Sequence, residues 1–191
     1  MSPNHNTPPP PPPPAPRSKI SPSVLKLKST LSDHFWQPPK PSTAPAPTGP
    51  YFVYGTLTNP TMISEILNLE QEPEFRPAMV SGYRCKMWGQ YPALVGAPDA
   101  VVKGLVYNVV TREHAERLAE YETNSYRAES CLIMYTDGGE PREEMGYTFK
   151  FVGNPRDLSE GGFDITAWLM LIGRHDVVEK MVDKKAKTND T

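Results

Sequence analysis

Of the chain's 23 prolines, sixteen fall within the first 50 residues, among them the unbroken run Pro8 to Pro14. Proline has no backbone N–H and a fixed φ, so a segment this rich in it favours extended polyproline II over a sheet ladder or helix interior. A packed core must therefore come from the residues after Pro50. Composition agrees: 38% hydrophobic over 191 residues is low for a chain packed from end to end, and one domain with tails is the expected plan. The expected divisions are a disordered proline-rich arm over 1–50, a folded domain over 51–175, and a charged C-terminal helix or tail over 176–191.

Charge divides at the same place. The first 50 residues carry five Lys/Arg against one acid, Asp33; the remaining 141 carry fifteen against twenty-one, a net charge of −6. A body of that sign offers no clustered basic face to a phosphate backbone, which argues against nucleic acid. No apolar run reaches the roughly 18 to 20 residues that span a bilayer, and the N-terminus lacks a basic region followed by an apolar one. A soluble, cytoplasmic protein with no membrane partner is expected. The first 32 residues contain basic and hydroxyl residues and no acid, as organelle transit peptides do, but seven consecutive prolines oppose the amphipathic helix such peptides form. The two cysteines, Cys85 and Cys131, lie in separate strand-like runs without CxxC spacing, so reduced thiols are expected rather than a metal site or redox pair.

The arm has two readings. Polyproline II loses little entropy on binding, so the arm fits the aromatic groove of an SH3, WW or similar domain; more often such a segment is a spacer. Within it, "SVLKLKSTLSDHFW" has some amphipathic character, suited to packing on the body or on a partner.

Beyond Pro50 the pattern becomes globular. "YFVY" is aromatic and β-rich and stops at Gly55, and "GTLTNP" leads to Asn59 and Pro60, a good helix N-cap and first helical residue. Met62, Ile63, Ile66 and Leu67 supply that helix with an apolar face. Strands are expected over Met79–Trp88, Val101–Val110 and Arg127–Tyr135, then the turn "TDGGEP" and a further strand "GYTFKFV". A last helix is expected from Phe163 to Gly173, with "VVEKMVDKKAK" extending it or trailing. Strands outnumber helices without βαβ alternation, so the class is α+β, with a largely antiparallel or mixed sheet that can curl into a small barrel. "YGTLTNP" lacks the later glycines of GxGxxG and the lysine of a P-loop, so nucleotide binding is not indicated. Gly55 permits close backbone approach, and a strand-end turn can aim several N–H groups at an anion; an ordinary turn needing positive φ is the plainer alternative.

The stretch "HAERLAEYETNSYR" holds the second candidate. Wound as a helix from Thr111, it places Ala115, Leu118 and Ala119 on one stripe, while Glu113, Glu116, Arg117 and Glu120 face away. Glu122 falls in the apolar stripe. By phase alone it either faces a pocket, or turns to solvent or to Arg127 where Thr123 and Asn124 end the helix. Other chemistries find less support. There is no GxSxG elbow and no HExxH, His114 and His175 are far apart in sequence, and mid-strand cysteines are usually packed.

Four elements in order, "YFVYGTLTNP", "QYPALV", "VVKGLVYNVV" and "RLAEYETNSYRAES", resemble the γ-glutamylcyclotransferase family in its AIG2-like branch, and are similar also to γ-glutamylamine cyclotransferases. The resemblance covers roughly Tyr51 to Gly173. It implies a small mixed β-barrel with flanking helices and an acyl-transfer reaction in which the α-amine of a γ-glutamyl compound attacks its own γ-carbonyl. The products are 5-oxoproline and a released amine or amino acid. No metal or cofactor is implied. It further implies that the loop Val53, Tyr54, Gly55, Thr56, Leu57 and Thr58 binds substrate, that Glu122 is the catalytic proton acceptor, and that Tyr126 helps bind or orient. Tyr91 and Pro92 are expected to shape a pocket wall. An apolar surround favours a carboxyl group that must act as base and then as acid. One departure stands out: many relatives carry glycine directly after this glutamate, where this chain has Thr123. The alternative from another class is a non-catalytic binding protein that recruits a partner through its proline arm.

Overall fold

The computed structural model describes residues 44–188. The proline arm up to residue 43, including the amphipathic stretch, lies outside the described residues. Strand β1 (Gly49–Val53) runs into a 3₁₀ turn (Gly55–Thr58) and helix α1 (Pro60–Leu67). The cap is the expected one: the Asn59 side chain accepts the Met62 N–H at 3.1 Å, and Pro60 follows at the first helical position, where its missing N–H costs nothing. The long strands β2 (Arg76–Trp88) and β3 (Tyr91–Val109) form a hairpin, followed by α2 (Arg112–Glu122), β4 (Tyr126–Tyr135), β5 (Glu143–Phe151) and the two-residue β6 (Leu158–Ser159). Helices α3 (Ile165–Leu171) and α4 (His175–Thr188) end the described chain.

The sheet closes on itself. Its order is β3-β1-β5-β4-β2, and β2 pairs back onto β3, giving a five-stranded barrel to which β6 adds at the Trp88 end of β2. All pairs are antiparallel except β1–β5, so the expected small mixed barrel of an α+β protein is what forms. Alternation along β1 sorts the core into two faces. Phe52 joins Ala78, Val80, Val106, Cys131 and Ile133 in the lumen, while Tyr51 and Val53 join Ile63, Leu67, Leu118 and Phe149 beneath α1 and α2. A third cluster packs Trp168, Leu169 and Val177 of the last two helices on Met62 and Tyr91.

Two elements differ from expectation by more than a few residues. The strand expected over Val101–Val110 begins ten residues earlier, at Tyr91, and takes in the "YPALV" element. Pro92, Gly96 and Pro98 obscure this continuity, because proline and glycine ordinarily punctuate strands. Pro92 sits in the second position of the strand, and Pro98 falls where the ladder jumps from Ser81–Val101 to Tyr83–Gly96, so no regular pair is lost at Pro98. The last helical region is two helices: Asp164 caps α3 by accepting from the Ala167 N–H at 2.8 Å, and Gly173, at φ 77, ends it with the Arg174 N–H bonded to Leu169 O at 2.8 Å. Val177 of α4 is fully buried, so that helix packs on the body. Among the described residues no helix is long and apolar enough to cross a membrane.

The glycine of "VVKGLVY" marks a close approach between strands. A Cβ on Gly104 would lie 2.4 Å from the Val53 carbonyl oxygen and 2.7 Å from the Phe52 ring, and a backbone oxygen within a ladder cannot step aside. Gly104→Ala should therefore lower unfolding free energy by about 3 kcal/mol or more, at the upper end of overpacking costs. Gly96, whose Cβ would meet nothing within 4 Å, is the control: Gly96→Ala should stay within about 0.5 kcal/mol of wild type in the same urea titration.

Candidate active site

Three local structures converge where β1 ends. The first is the 3₁₀ turn. Gly55 takes φ 74, and a Cβ there would fall 2.1 Å from Pro92 Cγ, so both the left-handed backbone and the contact with the hairpin require glycine. Thr58 closes the turn by donating its hydroxyl to Gly55 O at 2.6 Å. Tyr54, the residue before the turn, has non-helical φ/ψ and gives it no side-chain cap. The first N–H groups of such a turn have no acceptor inside it, which is the local basis for an anion cradle.

The second is the end of α2. Thr111 caps the helix, its hydroxyl accepting from the His114 N–H at 3.1 Å, and Arg117 ties it to α1 by donating to Leu67 O at 3.0 Å. The solvent face pairs Arg112 with Glu116 and Arg117 with Glu113. The buried face is Ala115, Leu118, Tyr121 and Glu122, so helical phase holds through the last residue and Glu122 is only 6% exposed. The chain then leaves the helix through Thr123 at φ 64, ψ −179, a conformation glycine adopts freely and a β-branched residue seldom does. The Thr123 hydroxyl accepts the Ser125 N–H at 3.3 Å, part of the support for that backbone.

The third is the hairpin wall, Tyr91 and Pro92. Tyr91 is 2% exposed, its ring edge-on to Trp168 of α3 at 6.0 Å. Tyr126 holds Pro92 from the β4 side, donating its hydroxyl to Pro92 O at 3.0 Å.

These pieces enclose one pocket, lined by Tyr54, Thr56, Tyr91, Pro92 and Glu122. Its enclosed part is about 10 Å³, room for roughly one water, and with the open mouth the non-protein space reaches about 200 Å³. Of the candidate residues, Tyr54, Thr56 and Glu122 are thus brought together. Gly55 lies against the Pro92 wall. Val53 and Leu57 turn their side chains into the outer core, and Tyr126 acts behind the wall.

Tyr54 is tied down by its phenol, which donates to Phe149 O and accepts the Leu94 N–H at 3.2 Å. Tyr121, not singled out by the sequence reading, donates its hydroxyl to Thr56 Oγ1 at 2.9 Å and so joins α2 to the turn. Its spacing three residues after Leu118, beside Glu122, is the signal that could have found it. The phenols of Tyr54, Tyr121 and Tyr126 are all raised above the ordinary tyrosine range. Burial is the main cause, and the Glu122 charge adds to it in all three. They stay neutral hydrogen-bonding groups at any working pH. Burial also pushes the Cys85 thiol up to about 11, which leaves it a packed thiol rather than a nucleophile. Among the described residues no three His, Cys, Asp or Glu come together as metal ligands.

No curated protein matches the chain at a significant level. Among solved structures, the solution structure of At3g28950.1 from Arabidopsis thaliana is 24% identical with a TM-score of 0.54, over 78% of this chain and 91% of that one. That of At5g39720.1 from the same plant is 21% identical with a TM-score of 0.51, over 78% and 97%. At these identities the likeness is one of fold. The sequence itself matches the family model described as "Gamma-glutamyl cyclotransferase, AIG2-like" over residues 51–165, a span that contains all of the barrel but the first two residues of β1, with the turn, the hairpin wall and the end of α2. The chain belongs to the AIG2-like γ-glutamyl cyclotransferase family.

Proposed function

We propose that this protein cyclises a γ-glutamyl compound to 5-oxoproline with release of an amine or amino acid, and that Glu122 is its general base and acid. The observation that carries this reading is a single carboxylate, nearly excluded from water, lining the same pocket as the "YGTL" turn. The reaction needs little else. Nucleophile and electrophile belong to one substrate, so folding the substrate chain supplies a large effective molarity. What remains is proton traffic: Glu122 takes a proton from the α-amino group as it attacks, and returns one to the departing nitrogen. The substrate carboxylate, or the oxygen that gains charge, meets the N–H groups opening the 3₁₀ turn. Tyr91 and Pro92 form the facing wall, and Tyr126 keeps Pro92 in place.

A panel of γ-glutamyl amines and γ-glutamyl amino acids, scored for 5-oxoproline, tests the reading. Turnover of at least one class is expected, and Glu122→Gln, which keeps the shape and removes the base, should lower kcat by about 10²- to 10⁴-fold. Full activity in Glu122→Gln, or no turnover across the panel, sinks it.

Thr123 yields a separate prediction. Holding a β-branched residue at φ 64 costs on the order of 1–3 kcal/mol, whereas glycine adds roughly 0.5–1 kcal/mol of unfolded-state entropy. Thr123→Gly should therefore raise stability by about 1 kcal/mol, seen as a higher urea midpoint at unchanged slope. A lower midpoint would mean that the Thr123 hydroxyl's bond with the Ser125 N–H outweighs the backbone strain.

A further inference from the structure

Ring closure places negative charge on the γ-carbonyl oxygen, and the pocket lining contains one aliphatic hydroxyl that can meet it, that of Thr56. This hydroxyl is not an isolated group. Thr56 is 4% exposed and Tyr121 1%, and the Tyr121 O–H donates to Thr56 Oγ1 at 2.9 Å across 65 residues of sequence. Thr58, two residues on, spends its own hydroxyl on Gly55 O, so the two threonines of the turn are put to different uses. A hydroxyl that accepts from a buried donor is polarised by it, and its own proton becomes the better hydrogen-bond donor. Burial, with Glu122 adding to it, keeps the Tyr121 phenol protonated, so it retains a proton to donate at working pH.

We infer that Tyr121 is a positioning residue that orients the Thr56 hydroxyl as a donor to the γ-carbonyl oxygen of the substrate. The inference rests on the cyclotransferase reading and deepens it. In the step, the α-nitrogen bonds to the γ-carbon while the carbonyl π pair moves onto oxygen, and Glu122 takes the amine proton. Collapse of the oxyanion then breaks the bond to the leaving nitrogen, which receives the proton from Glu122. The Thr56 hydroxyl keeps its proton throughout and stabilises the charge by donation. Tyr121 thereby couples the helix that carries the base to the turn that carries the donor.

The test compares full-length wild type with Thr56→Val, Thr56→Ser, Tyr121→Phe and the Tyr121→Phe/Thr56→Val double variant. Each is measured for kcat and KM on the γ-glutamyl compound turned over fastest, with thermal melts to verify folding. Removing a donor to an oxyanion costs about 10²- to 10³-fold in kcat, the loss expected for Thr56→Val, and Thr56→Ser should recover most of it. Tyr121→Phe should lower kcat roughly 10-fold at unchanged KM, and the double variant should be no slower than Thr56→Val alone, because the two groups act as one unit. Losses that multiply in the double variant, a KM effect in place of a kcat effect, or unimpaired Thr56→Val overturns the link while leaving the cyclotransferase reading intact. A wild type that cyclises nothing in the panel overturns both.

Discussion

Barrel closure through β3 is the constraint on which the rest of the molecule depends. The strand is nineteen residues long and pairs with β2 over most of its length and with β1 at its far end, so one element forms two of the five seams. An open mixed sheet would leave two unpaired edges, and closure removes them. It also sets distances that local structure could not. With Leu105 opposite Val53, the other end of the hairpin folds over the exit of β1, and Pro92 comes to rest against Gly55. The jump in register beside Gly82 lets the long hairpin depart from a flat ladder, as a bulged strand does.

The candidate site is the seam where this closure meets the end of α2. A buried carboxylate is costly unless its surroundings are polar and well ordered. Here the surroundings are tyrosines whose hydroxyls bind elements together: Tyr54 links β1 to β5 and β3, Tyr126 links β4 to β3, and Tyr121 links α2 to the 3₁₀ turn. The walls of the pocket are fastened to different strands and helices. Such fastening is what a site needs if reacting groups are to be held in place rather than found by diffusion.

Support extends past the region matched by the family model, which ends at residue 165. Trp168 of α3 backs the Tyr91 ring, Met181 of α4 receives the Asn59 side-chain N–H at 3.2 Å, and Arg174 between them grips Glu65 of α1 through two bonds of 2.6 and 2.8 Å. The last two helices therefore touch both the hairpin wall and the cap that ends the 3₁₀ turn. An exposed ion pair contributes little alone, so the buried contacts of Trp168, Leu169 and Val177 carry most of this docking.

Much of this was legible in the sequence, and the division follows the range of the forces. Helix phase, caps and turns depend on residues within one turn of each other. The Asn59 and Thr111 caps, the turn at Gly55 and the place of Glu122 on the apolar stripe could accordingly be read directly, as could the α+β class from strand count and order, while the barrel came from the family resemblance. An apolar stripe beside Glu122 was legible, but the phenols that surround it were not, because they come from four separate segments. Partnerships such as Tyr54 with Phe149, 95 residues apart, and Tyr121 with Thr56, 65 apart, arise only once the barrel closes. The continuity of β3 through two prolines is of the same kind. A proline is forbidden in a ladder only where its N–H is needed, and tertiary pairing alone decides where that is. The sequence by itself determined which residues could serve as base and cradle; the closed sheet decided that they share one pocket, since register and crossing fix distances that local propensity cannot.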